Sequence, residues 1–230
     1  KKMNPSMIVE LYGQQLTDDG YAVCVTDMLL KGQDPLRIKL GDTLKNDFHA
    51  DKKFHFCMAN PPYGHEWKDS KVEILNEHQK GFDGRFGAGL PRINDGQLLF
   101  VQHFISKLRD DEMGGRAGIV LNGSPFFTGG ANSGESNIRK WIIENDLLEG
   151  IIGLPKDLFY NTGIRTFIWV FNNRKNQKRK KKIRLLDASG PEFFETMRKS
   201  MGDKRKQINE KKVEDIVKLF YSDKSSEFLK

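Results

Sequence analysis

Asn60-Pro61-Pro62-Tyr63 concentrates the chemistry of this 230-residue chain. An asparagine side-chain oxygen and the main-chain carbonyl of the proline after it are two acceptors, and an aromatic amine has two protons to offer them. The nitrogen of such an amine is a poor nucleophile, because its lone pair is delocalised into the ring. Held by both protons, it is drawn toward the pyramidal geometry that attack requires. Asparagine suits this task better than aspartate, whose carboxylate would be costly to desolvate. Tyr63 adds a ring face for a planar base, worth about 1–3 kcal/mol of stacking. The prolines fix these groups in advance, which is electrostatic preorganisation rather than acid–base catalysis.

The elements around the turn must place it at a strand end. Phe54, Phe56, Cys57, Met58 and Ala59 read as a buried strand over residues 54–59, and two prolines cannot continue a central ladder. In an open α/β sheet, ligands gather at the C-terminal ends of strands. Upstream, residues 8–13 read as a strand ending at Gly13, residues 18–30 as a helix closed by Gly32, and residues 36–40 as a strand ending at Gly41-Asp42-Thr43. Strands alternating with helical patterns predict an α/β fold with a doubly wound, mostly parallel sheet.

Downstream, residues 64–96 are polar and glycine-rich and predict a long irregular loop, a feature that in a compact domain is functional or disordered. Helices are expected over 97–108 and 135–145, and strands over 117–121, 147–154, 166–171 and 183–186. A glycine- and asparagine-rich loop fills 122–134, and a short amphipathic helix spans 213–220. Composition shifts near Gly190, which divides a catalytic part, 1–190, from a helical appendage, 191–230.

The composition, 37% apolar and 30% charged, suits a globular protein. No apolar run approaches the ~18 residues of a membrane span, and the N-terminal residues lack a signal-peptide core. Cys24 and Cys57 are expected as buried thiols in a reducing, cytoplasmic setting. His55, His65, His78 and His103 lack zinc-ligand spacing, so no metal site is expected. The net charge of +7 makes a polyanionic partner plausible. Eight basic residues fall between Arg174 and Arg184, either as a phosphate-binding surface or as a solvated loop between strands.

The turn suits methyl transfer from S-adenosylmethionine to a planar amine. No strong base is needed, because the sulfonium is a good leaving group and the surplus proton departs afterwards. Neighbouring strand ends would hold the cofactor. Asp42 can accept from its adenine amine, with a turn or helix-cap aspartate as the equal alternative. Gln15, in the stretch Tyr12-Gly13-Gln14-Gln15, can hydrogen-bond a ribose diol without charge assistance.

These residues resemble the modification (methyltransferase) subunit of type I restriction–modification systems, a family of N6-adenine DNA methyltransferases. The resemblance covers residues from about 8 to 220. It runs through Tyr12-Gly13-Gln14-Gln15, Gly41-Asp42-Thr43-Leu44, Asn60-Pro61-Pro62-Tyr63-Gly64, Arg85-Phe86-Gly87, Gly118-Ile119-Val120-Leu121 and Ile138-Arg139-Lys140. It continues through Gly153-Leu154-Pro155, Leu158-Phe159-Tyr160-Asn161-Thr162-Gly163-Ile164 and Leu186-Asp187-Ala188-Ser189.

The resemblance implies the methyltransferase form of the doubly wound sheet, with an antiparallel strand near one edge at 166–171. It implies catalysis by Asn60 to Tyr63 on an adenine flipped out of double-stranded DNA. Its implied partners are a specificity subunit, a restriction subunit and a second modification subunit. Two departures accompany it. The family's glycine-rich cofactor loop is not in the chain, which reads as a fragment incomplete at the N-terminus, and Gln15 stands where the family usually has glutamate. The chain alone is therefore expected to bind S-adenosylmethionine weakly and to methylate little; low-micromolar binding in a calorimetric titration would refute this. The competing readings are a non-catalytic DNA-binding or assembly module, and a protein glutamine N5-methyltransferase, which shares the Asn-Pro-Pro-Tyr turn.

Overall fold

The computed structural model describes residues 6–160, 162–223 and 228–229, so Asn161 of the 158–164 motif and the N-terminal residues 1–5 lie outside the described residues. The chain divides into two units, residues 1–52 with 70–75, and residues 53–69 with 76–230. The division does not fall near Gly190.

In the first unit, strand β1 (Gly13–Gln15) pairs in parallel with β2 (Ile38–Leu40), and helix α1 (Asp18–Leu30) joins them. Helix α1 forms where the sequence predicts it, for local reasons. The Thr17 hydroxyl accepts from Gly20 N at 3.2 Å, and Asp18 and Asp19 face the positive end of the helix. Strand β1 begins where the predicted strand was to end. Gly13 is the first residue with a ladder partner, Ile38, whereas Ile8 is 89% exposed.

The second unit begins with β3 (Phe56–Ala59), followed by α2 (Lys71–Gln79), whose first turn belongs to the first unit, and α3 (Gln97–Ser106). Then come β4 (Arg116–Leu121), the short α4 (Ser124–Phe127), α5 (Gly134–Glu144), β5 (Leu148–Gly153), β6 (Phe167–Asn172) and β7 (Arg184–Asp187). A hairpin of β8 (Glu195–Met201) and β9 (Lys204–Gln207) precedes the last helix, α6 (Glu210–Tyr221).

The central sheet has the order β3-β4-β6-β5-β7. Pairings β3–β4 and β5–β7 are parallel, and β6 is antiparallel to both β4 and β5, so four strands run one way and β6 the other. The expected antiparallel strand is therefore present, but it stands third of five rather than beside an edge.

Alternation along the strands gives the sheet two apolar faces. Ile119, Leu121, Ile151, Trp169 and Phe171 face one way, covered by Leu98 and Val101 of α3 and by Ile138 and Ile142 of α5. Ile152, Leu186, Ile168 and Val170 face the other way, against Ile216 and Phe220 of α6. Helix α6 is thus a layer of the fold rather than an appendage. Gly150 makes this possible, since a Cβ there would stand 2.7 Å from the Phe220 ring.

At β3 only Cys57 is buried, while Phe56 and Met58 are 74% and 85% exposed. The expectation of a buried strand fails because β3 is an edge strand whose second face has no helix over it among the described residues. The predicted loop 64–96 is also ordered further than its composition suggests. It holds α2, and Trp67 and Phe86 are buried. Glu77 of α2 grips Arg85. Among the described residues no helix is long and apolar enough to cross a membrane.

Candidate active site at the strand ends

Strands β3 and β4 are parallel neighbours, with Ala59 opposite Ile119, so the segments after them leave the sheet from the same edge. Asn60-Pro61-Pro62-Tyr63 follows β3, and Asn122-Gly123-Ser124 follows β4. The catalytic candidate is therefore where an α/β sheet presents its ligand site.

Within the turn, the Tyr63 hydroxyl donates to Asn60 Oδ1 at 2.6 Å. Pro61 is buried and Asn60 exposed, so the proline anchors the turn and the amide faces outward. Burial pushes the Tyr63 hydroxyl up to about 12, which keeps it a neutral donor through the physiological range. Asn60 Oδ1 has two lone pairs, and Tyr63 uses one of them. The four residues thus form an oriented amide acceptor with an aromatic ring beside it.

A buried polar network stiffens the same edge, and the sequence reading missed it. Gln97 Nε2 donates to Asp95 Oδ1 and to Asn122 Oδ1, both at 2.9 Å, and Gln97 Oε1 accepts from Asn122 N at 3.0 Å. The Ser124 hydroxyl donates to Asp95 Oδ2. These bonds lock the N-terminus of α3 to the loop after β4. Arg139 of α5 holds that loop from beneath, donating to the carbonyls of Pro125 at 3.0 Å and Thr128 at 2.8 Å. The one sequence signal was Asn122 itself, a polar amide directly after a strand, as Asn60 is.

Gln15 and Asp42 lie in the first unit, at the ends of adjacent parallel strands. They are linked by a hydrogen bond from Gly41 N to the Gln15 carbonyl at 2.8 Å. The Asp42 carboxylate accepts from Leu44 N at 2.9 Å and from the Ser70 hydroxyl, the turn-capping alternative raised by its sequence context. Gln15 Oε1 accepts from Leu16 N at 2.8 Å. Gln14 does more to shape this corner than its neighbour, bonding Gly41 O, Asn46 O and Phe48 N.

The donor set fits the adenosine end of S-adenosylmethionine. Each Asp42 oxygen keeps a second lone pair for an adenine amine, and the Gln15 amide nitrogen is a donor toward a diol. Neither Gln14 nor Gln15 supplies charge there.

The basic run between Arg174 and Arg184 sits at the opposite edge, since β6 ends where β4 begins, at the Asn172–Arg116 pair. Much of its charge is spent internally. Lys175 Nζ is 2.6 Å from Asp146 Oδ1, Arg174 donates to the carbonyls of Asp110 and Asp111, and Arg184 to those of Phe220 and Ser222. Glu149, 2% exposed, is held by Arg116 at 2.9 Å, Arg179 at 3.4 Å and Asn172 at 3.0 Å. A cavity of about 430 Å³ opens beside these groups, at the far edge of the sheet from Asn60.

A family model described as N-6 DNA methylase matches residues 2–229. The chain is 32% identical over 183 residues to the type I restriction enzyme HindI methylase subunit of Haemophilus influenzae, spanning 78% of this chain and 38% of that protein. It is 26% identical over 220 residues to the MjaIX methylase subunit of Methanocaldococcus jannaschii, spanning 95% and 37%. Among solved structures, the type I restriction-modification methyltransferase subunit of Streptococcus thermophilus superposes with a TM-score of 0.78 at 25% identity, over 96% of this chain and 44% of that one. The chain thus spans less than half the length of these relatives.

Proposed function

The chain belongs to the N-6 DNA methylase family, and from that membership we propose that it acts as a type I modification subunit, methylating the N6 amine of adenine in double-stranded DNA. Its fold is of the S-adenosylmethionine-dependent methyltransferase type. The observation that carries the proposal is the turn after β3, where Asn60 Oδ1 is held by the Tyr63 hydroxyl at 2.6 Å with a lone pair to spare.

In this reading the target adenine is flipped out of the duplex. Asn60 Oδ1 and the Pro61 carbonyl accept its two N6 protons, and the Tyr63 ring stacks on its face. Pro61 and Pro62 keep the acceptors in place, so little reorganisation is left for the reaction itself. S-adenosylmethionine supplies the methyl group, with Gln15 and Asp42 the residues that would hold its adenosine end. The surplus N6 proton passes to water, so the site needs no histidine or cysteine. A specificity subunit would choose the DNA sequence, and a restriction subunit and a second modification subunit would complete the assembly, as the family resemblance implies; the relatives' own names say only that they are methylase subunits of type I restriction enzymes.

The test is Asn60→Ala in the full-length protein assembled with its specificity subunit. Labelled-methyl incorporation into adenine-containing duplex should fall by about 10²–10³-fold or more, while duplex binding persists. Unchanged incorporation would remove Asn60 from the chemistry.

A further inference from the structure

We infer that the β8–β9 hairpin is an arm that grips the phosphates of duplex DNA beside the catalytic turn, an inference that rests on the DNA reading above. The hairpin carries Arg198, Lys199, Lys204, Arg205 and Lys206 against only Glu195 and Asp203. Lys204 serves its docking, its ammonium 4.6 Å from the centre of the Tyr160 ring, while Lys206 lies 4.2 Å from the centre of the Phe194 ring at the base of the hairpin itself. Arg198, Lys199 and Arg205 are exposed, and among the described residues none of them has a carboxylate partner.

Placement separates this patch from the other basic stretch. Strand β5 ends at Gly153, paired with Asp187 at the end of β7, and both point to the edge that bears Asn60. The loop after β5 holds the hairpin by its backbone: Asp203 N donates to Tyr160 O at 2.9 Å, and Arg205 N and Lys206 N donate to Asp157 O at 2.8 and 3.1 Å. Gly202, with φ of 62°, makes the tight turn at the tip. The 174–184 run, by contrast, lies at the other edge, where Arg174, Lys175, Arg179 and Arg184 are held by internal partners and Lys178, Lys180 and Lys182 are exposed.

Distance supports one duplex reaching both features. With strands about 4.8 Å apart, β5 and β7 stand three and four positions from β3, or about 14–19 Å along the edge. That is roughly half of a helical turn of about 34 Å. A duplex carries one phosphate charge per ~1.7 Å of axis, so charges are dense throughout that interval. A base flipped into the Asn60 turn would thus leave backbone phosphates within reach of the hairpin.

The experiment is duplex binding by the full-length protein assembled with its specificity subunit, followed by fluorescence anisotropy on a labelled adenine-containing duplex between about 50 and 300 mM salt. It compares wild type, R198Q/K199Q/R205Q and, at the opposite edge, K178Q/K180Q/K182Q. Each lost phosphate contact lowers the slope of log K against log salt by about 0.9, so the hairpin variant should lose about 2–3 units of slope. Its affinity near 0.1 M salt should fall by up to about eightfold per contact, with the opposite-edge variant close to wild type. All six side chains are exposed, so thermal melts should coincide. Wild-type binding with an unchanged slope in the hairpin variant overturns the inference alone. An equal loss in both variants also overturns it, since the attraction would then be diffuse. Failure of the wild-type assembly to bind duplex at all overturns the DNA reading on which it rests.

Discussion

Replacing Tyr63 in two ways separates the two tasks assigned to it. Its hydroxyl holds Asn60 Oδ1 at 2.6 Å, and its ring offers a stacking face. Because burial pushes that hydroxyl up to about 12, the bond is between neutral groups, and such a bond contributes about 1 kcal/mol. Tyr63→Phe keeps the ring and loses only the bond that orients the amide. Its kcat should fall about fivefold with little change in KM. Tyr63→Ala loses the stacking face as well, worth about 1–3 kcal/mol, so KM for DNA should rise about 5–150-fold. The assay is steady-state methyl incorporation into duplex by the full-length enzyme with its specificity subunit. The ratio of wild type to Tyr63→Phe should stay flat from about pH 6 to 10, since the donor does not ionise there. A Tyr63→Phe enzyme indistinguishable from wild type would show that the bond does not orient Asn60. A Tyr63→Ala enzyme with altered kcat but normal KM would refute the stacking role.

Three further outcomes follow from the packing and electrostatics. Gly150→Ala should lower stability by about 1–3 kcal/mol by pushing Phe220 of α6 away from the sheet, while Gly118→Ala, with no atom within 4 Å of the added carbon, should be nearly neutral in a denaturant titration. Glu77 is held below its ordinary value of 4.5: burial alone would raise it, and hydrogen bonds and charge from Arg85 outweigh that. Its contribution is full above the unfolded value and is lost as pH falls through the lowered folded one. The difference in stability between wild type and Glu77→Gln should therefore shrink below about pH 4.5, as read from melts across that window. Asp95→Asn weakens the charge-assisted bonds from Gln97 and Ser124, and should cost about 1–3 kcal/mol in a thermal melt; an unchanged melting temperature would show that the network does not stiffen the edge.

The elements the sequence revealed most clearly were those with local signals. Helix α1 matches its predicted span because Thr17, Asp18 and Asp19 mark its start, and α3 and α5 follow from apolar residues at helical spacing. The turn after β3 was legible because two prolines have few places in a sheet. What stayed hidden depends on partners distant in sequence. Glu149 sits inside an apolar strand, and its stabilising groups, Arg116 and Arg179, are about 30 residues away on either side. Gln14 and Gln15 are identical by type, and only the loop folded over β1 makes Gln14 the better anchored of the two. Helix α2 was masked because it is mostly polar, and the glycines after it made the whole segment read as a loop. The role of α6 depends on Gly150, which no pattern within 210–221 could disclose.

The place of β6 has a consequence for how the chain is made. Among the described residues β4 and β5 do not pair with each other; β6 lies between them, running from Arg116↔Asn172 to Leu121↔Phe167 on one side and from Leu148↔Phe171 to Gly153↔Phe167 on the other. During synthesis, a ribosome that has released residues up to 166 has produced β3, the Asn60 turn, β4 and β5 with an unfilled slot in the middle of the sheet. Counted from the end of β5 at Gly153 to the end of β6 at Asn172, synthesis at about 5–20 residues per second leaves this state exposed for about 1–4 s, with two strands offering open edges to any other extended segment. The late arrival of six residues, Phe167–Asn172, therefore closes the sheet, and a ribosome pausing just before them would hold the chain where mispairing is easiest.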